Sequence, residues 1–329
     1  MPFDFFAFLN TIITMFIILI AGYILGKIGV IDRTASKNLS KLIVMLGQPA
    51  LIINAIISHR YSERNLQLAI ISFVIALIMH LLMALFAFLS CMKIKDLDER
   101  KITEFAMVFG NIGFLGIPII SALFPEDGAF VAAFFIVCFN ILLWIIGLGI
   151  IARKRNDIKL TAKKIFLNKG TIPSLIGFVI FLIPAVFPAF ELPSFASMSI
   201  GYIASLCTPI SMLIIGALIA TRPIKTLFTS GKIYYLSLFK LILIPLFFCV
   251  VSKLLGLSDF WVILITTVSA MPSASSTSMF AELYDTAPEY SAQCVGASTL
   301  FSLMTMPLLL FVANMILKLD FHLFNLNFF

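Results

Sequence analysis

Asn111 sits in the run GNIGFLGIP, residues 110–118, among Gly110, Gly113 and Gly116 and ahead of Pro118. A second run, AMPSASSTSMF at residues 270–280, offers Pro272 with Ser273, Ser275, Ser276 and Thr277. Neither run holds an HExxH pair, a nucleophile beside a base or a cluster of carboxylates, so the chemistry within reach is binding rather than bond breaking. Glycine and proline are poor helix formers, yet both runs lie in apolar stretches where water cannot repair a broken backbone hydrogen bond. Such a break survives at membrane depth only if it is buried in protein or lines a wet cavity. Pro118 and Pro272 suit the first turn of a new half-helix, where a missing N–H costs nothing. A half-helix start presents free N–H groups and a positive dipole end, which favour an anion. Gly113 and Gly116 let a ligand approach the backbone closely. The amide and hydroxyls of Asn111, Ser273, Ser275, Ser276 and Thr277 supply neutral donors and acceptors. Taken alone, the glycines would equally suit a helix-packing surface.

The elements that must position these residues are membrane helices. Apolar residues make up 61% of the 329 and charged residues 12%, with a mean hydropathy of +1.11, far from a soluble balance. Spans of about 20 residues are predicted near 5–28, 39–58, 66–92, 103–123, 128–152, 171–188, 194–220, 233–256, 260–282 and 290–317. The opening MPFDFFAFLN lacks the basic region and cleavage site of a signal peptide, so its apolar run is expected to remain a helix. The five cysteines fall in apolar stretches without paired spacing and read as packing residues, with no metal site and no cofactor expected.

The net charge of +7 marks topology rather than a nucleic-acid partner. The connections after spans 1, 3, 5, 7 and 9 hold 18 lysines and arginines, against 4 in the remaining connections and termini. By the positive-inside rule the odd connections are cytoplasmic and both termini are outside, in a multi-pass protein of the cell (inner) membrane. The basic stretch from Arg153 to Lys169 is expected on the membrane surface. All sixteen carboxylates fall in connections, at termini or within a few residues of a span end. The KDLDER run at residues 95–100 reads as a solvated connection.

Proline-marked interruptions recur between the halves, Pro49 in LGQPALIINAII and Pro209 in LCTPISMLIIGA, offset by 209 − 49 = 160 residues. The expectation is an all-α fold of ten transmembrane helices built as a 5+5 inverted repeat. Residues 1–152 form the first repeat, 153–170 a cytoplasmic linker and 171–329 the second. Broken spans 4 and 9 cross near the midplane, as in secondary transporters. Asn54 and Asn140 suit either interhelical hydrogen bonding or ligand contact. His80, deep in span 3, is a packing residue or a candidate for coupling to protons. Lys240, about two turns inside span 8, is expected to snorkel to the interface.

The motifs N-x-G-F-L-G-I-P at residues 111–118, M-P-S-A at 271–274 followed by F-A-E-L-Y at 280–284, and S-T-L-x-S-L-x-T-M-P-L at 298–308 resemble the auxin efflux carrier family. The resemblance runs over essentially the whole chain and includes the prolines of spans 2 and 7 and Asn140. It implies scaffold helices beside a mobile transport unit, crossed helices 4 and 9 at the substrate site, and export or exchange of organic anions such as carboxylates. Two features depart from the family pattern. The long hydrophilic loop of many plant members is reduced to the stretch after Arg153, and Ser-Ala-Ser-Ser stands where many relatives carry an asparagine. The second argues against auxin itself. The expected partners are a small organic anion and the lipid bilayer, without nucleic acid, and a homodimer is compatible with this reading. A sensor or channel of the same fold is the alternative. A membrane enzyme is not expected.

Overall fold

The computed structural model describes residues 5–155, 157, 171–220 and 230–319. Most of the expected linker, including Lys163, and the acidic residues Asp4 and Asp320 lie outside them. Twelve helical segments follow one another among the described residues. They are α1 Phe5–Lys27, α2 Arg33–Ile57, α3 Glu63–Lys93, α4 Leu97–Val108, α5 Ile112–Leu123, α6 Gly128–Ala152, α7 Thr171–Val186, α8 Ser194–Ala220, α9 Gly231–Leu254, α10 Asp259–Ser269, α11 Ser276–Leu283 and α12 Pro288–Leu317. Seven of them, α1, α2, α3, α6, α8, α9 and α12, are long and apolar enough to cross a membrane, and α5, α7 and α10 are shorter apolar helices. This all-helical membrane class is what hydrocarbon demands, because a helix satisfies its backbone internally.

Two helices start earlier than their apolar patterns suggest, because an aspartate caps each. Asp32 accepts from the N–H of Ala35, which extends α2 back to Arg33. Asp96 accepts from the N–H groups of Asp98 and Glu99, which extends α4 back to Leu97. The KDLDER run is therefore a helix start rather than a free connection. Asp98 pairs with Lys101, and Glu99 with Lys232 of α9.

Among the described residues, four widened turns occur in the helices, at Ile43–Gly47, Ile112–Gly116, Leu143–Gly147 and Phe239–Leu243. Three of these are followed two residues later by a proline, Pro49, Pro118 and Pro245. A proline inside a helix lacks its N–H and collides with the carbonyl four residues back, and an extra residue in the preceding turn relieves the collision.

The chain divides into two compact units. The first contains the described residues of Met1–Ile13, Leu82–Phe124 and Pro223–Phe329, and the second those of Thr14–Leu81 and Pro125–Arg222. Both units draw on the N-terminal and C-terminal portions of the chain. In the second unit α1 and α8 meet at glycines: a Cβ on Gly22 would overlap the backbone of Leu213, and one on Gly216 would overlap Leu19 and Tyr23. Close backbone approach through small residues is the usual way membrane helices gain contact when the surrounding lipid is as apolar as they are. All five cysteines are buried and none is in a disulfide, as packing residues should be.

Candidate substrate site

Both sequence interruptions fall in the first unit, and they pair. α4 ends at Val108, after which Phe109 is extended and Asn111 caps the next helix. α10 ends at Ser269, and α11 does not begin until Ser276. Across the gap the N–H of Asn111 donates to the carbonyl of Pro272 at 2.8 Å, and the N–H of Ala274 donates to the carbonyl of Phe109 at 2.9 Å. Gly110 and Ser273 thereby form an antiparallel bridge. Each break supplies the partners that the other lost, which is the accounting a buried backbone requires. Ser273 ties the pair to its surroundings. Its N–H donates to the Ser298 hydroxyl of α12 at 3.1 Å, and its hydroxyl donates to the Ala106 carbonyl at 3.1 Å.

Asn111 is 3% exposed, and its side chain has two distinct ends. The Oδ1 accepts from the N–H of Phe114 at 3.3 Å and caps α5, which fixes the amide orientation and leaves Nδ2 as a donor without a partner. The hydroxyls of Ser276 and Thr277, in the first turn of α11, are also buried without partners. Free donors therefore collect on the breaks.

The glycines divide by role. A Cβ on Gly110 would stand 3.1 Å from Cβ of Met271 and 3.3 Å from Nζ of Lys240, so this position is tight. A Cβ on Gly113 would meet nothing within 4 Å, and the backbone there is open to a visitor. Gly116 lies against its own helix, 3.2 Å from Ile112.

Three expectations about local placement change. Pro118 is not in the first turn of a half-helix: α5 begins six residues earlier at Ile112, and the widened turn accommodates the proline. Pro272 lies in the extended break itself, before α11, where it contributes its carbonyl. Lys240 does not snorkel. It sits in the widened turn of α9, fully buried, with its ammonium beside Gly110 and no hydrogen-bond partner. A lysine in an apolar span was the visible signal, but only the packing shows which way it turns.

Asn111, Gly113, Gly116, Pro118, Pro272, Ser273, Ser275 and Thr277 thus share one unit, whereas Asn54, Asn140 and His80 belong to the other. There Asn54 Oδ1 lies 3.5 Å from the Cβ position of Gly201, and Asn140 is buried with a free Nδ2. His80 is buried, with Nδ1 bonded to the Ala76 carbonyl at 2.7 Å and its ring edge-on to Phe139.

The profile of a family described as membrane transport protein matches residues 7–310. The chain belongs to this family. The motif resemblance to auxin efflux carriers is thereby borne out. Among similar proteins, an uncharacterized transporter of Methanocaldococcus jannaschii is 26% identical over 307 residues, covering 91% of this chain and 97% of the relative. An uncharacterized transporter of Methanothermobacter thermautotrophicus is 22% identical over 302 residues, covering 91% and 96%. A protein of Rhizobium meliloti named "Putative malonate transporter" is 26% identical over 223 residues, covering 65% and 67%. As a member of a membrane transport family with several apolar spanning helices, the chain is a multi-pass membrane protein.

Proposed function

We propose that this family member is an efflux carrier for a small organic anion, a carboxylate, working by alternating access around the paired breaks. The observation that carries this reading is the bond from Asn111 N–H to the Pro272 carbonyl, which holds two half-helix starts side by side in a setting where the free side-chain groups can all donate. Asn111, Gly113, Gly116, Pro118, Pro272, Ser273, Ser275 and Thr277 form the site; Asn54 and Asn140 are further substrate-binding candidates, and His80 is the coupling candidate. The malonate in the name of the Rhizobium meliloti relative agrees with a carboxylate.

The architecture that goes with this function has ten crossings, with α4–α5 and α10–α11 as the two broken ones, arranged as an inverted repeat with residues 1–152 and 171–329 as its copies. The charge asymmetry supports termini outside the cytoplasm. Twelve residues of helix on either side of residues 109–111 correspond to about 18 Å each at 1.5 Å per residue, which suits a break near the bilayer midplane. Uptake of labelled malonate into inside-out vesicles tests the reading. Accumulation above the equilibrium level under an imposed potential identifies a carrier, whereas saturable binding without accumulation identifies a sensor, and passive equilibration alone a channel.

A further inference from the structure

A lysine ammonium has three donors and no acceptor, and burying one without a partner in a low-dielectric interior is costly. Lys240 nevertheless has zero exposure and no hydrogen-bond partner. Its position is set by the widened turn Phe239–Leu243 in the middle of α9, with Pro245 just beyond. The side chain runs to the bridge between the breaks, where Nζ stands 3.3 Å from the Cβ position of Gly110. A side chain at residue 110 would crowd the amine, so the glycine keeps that space clear. Three further buried polar groups of the breaks lack partners, Nδ2 of Asn111 and the hydroxyls of Ser276 and Thr277. Every one of these can donate, and none of them is a carboxylate. What the group lacks is an acceptor carrying negative charge.

We propose that Lys240 is the charged ligand of the substrate, its ammonium pairing with a carboxylate held at the bridge between Gly110 and Ser273. This rests on the reading of the paired breaks as the substrate site and adds the source of its charge selectivity. Helix dipoles and amide donors favour an anion weakly, whereas a desolvated ammonium discriminates strongly between a carboxylate and its neutral amide.

The test uses purified full-length protein in nanodiscs, with malonate and the neutral malonamide as probes, calorimetric affinity and the thermal midpoint as readouts. The wild type and a control, Lys93→Met at an exposed position, should bind malonate and not malonamide. Lys240→Met, of similar length and apolar, should weaken malonate roughly 10- to 100-fold, the scale of a charge-assisted hydrogen bond. Its unliganded midpoint should equal or exceed that of the wild type, because a buried unpaired cation has been removed. Wild-type affinity in Lys240→Met alongside loss of binding in Asn111→Ala overturns the proposal and leaves the site reading standing. A lowered unliganded midpoint, or failure to fold, assigns the ammonium to the helix ends around it and also overturns the proposal. A wild type that does not prefer malonate over malonamide removes the site reading, and the proposal falls with it.

Discussion

Asn111 and Pro272, 161 residues apart in sequence, are joined by a 2.8 Å hydrogen bond from the N–H of one to the carbonyl of the other. Two segments that each interrupt a helix thereby repair one another, and the Asn111 side chain caps α5 on the same stroke. The backbone is satisfied while the side-chain donors remain free.

Asn111 can be separated into its two roles. Asn111→Ala removes both the cap and the free donor, and should destabilise by about 1 kcal/mol while lowering transport at least tenfold. Asn111→Asp retains a capping acceptor but replaces the free donor with a negative charge, so it should lose anion transport at a stability cost set by burying that charge rather than by loss of the cap. Thermal melts paired with vesicle uptake check this. Wild-type uptake by Asn111→Ala would make the paired breaks structural only.

Pro272→Ala keeps the carbonyl that Asn111 needs but adds an N–H to a buried extended segment and relaxes its backbone. Stability should fall by no more than about 1 kcal/mol, the scale of proline's restriction of the unfolded chain, unless the new N–H is left unpaired. Transport should fall strongly with folded protein still present in the membrane. Uptake normalised to protein recovered from vesicles makes the comparison.

Topology is open to labelling on a background lacking the five cysteines. Lys37→Cys, in the basic start of α2, should resist an impermeant maleimide in intact cells, whereas Ser62→Cys, between α2 and α3, should react; both positions are exposed. The reverse pattern would invert the proposed orientation.

The second unit carries a carboxylate contact at the start of α6 that should respond to acid. Asp127 accepts from Arg64 Nη2 at 2.8 Å and meets His59 Nε2 at 3.1 Å, with the His59 ring stacked on Phe130. Burial raises the Asp127 carboxyl pKa, but the hydrogen bonds from Arg64 and His59 outweigh it, and the net value lies below the ordinary range. A lowered folded-state pKa contributes stability above the unfolded value, and that contribution is lost as pH falls through the folded one. The melting temperature should therefore drop below about pH 4, and Asp127→Asn should flatten that drop at a cost near 1 kcal/mol at neutral pH, since Arg64 is largely solvated. A pH series of melts on both proteins is the check.

Coupling follows from where carboxylates are absent. With no acidic residue in the middle of a predicted span, potential-driven export is expected. An anion leaving a negative cell gains about 2.3 kcal/mol per charge per 100 mV, roughly a fiftyfold gradient. In proteoliposomes, flux should follow a potassium-diffusion potential and persist when proton and sodium gradients are collapsed. Flux that ignores voltage, and stops without a proton gradient and in His80→Ala, would instead place the coupling on His80.

Composition and hydropathy by themselves determined that this chain is a helical membrane protein, because hydrocarbon leaves a long apolar segment no alternative to satisfying its own backbone. Local chemistry marked the neighbourhood of the breaks: the glycines around Asn111 and the run from Pro272 to Ser276 are poor helix material, although Pro118 itself is carried inside α5 by the widened turn. The caps Asp32 and Asp96 were legible too, although the apolar pattern masked them and placed the starts of α2 and α4 too late. Tertiary structure alone decided that the two breaks pair, since the bond between Asn111 and Pro272 joins residues with no local relationship. It also decided the direction of Lys240. Counting residues along α9 leaves a lysine free to reach for the interface, whereas the widened turn and the space kept open by Gly110 direct its ammonium inward, toward the breaks.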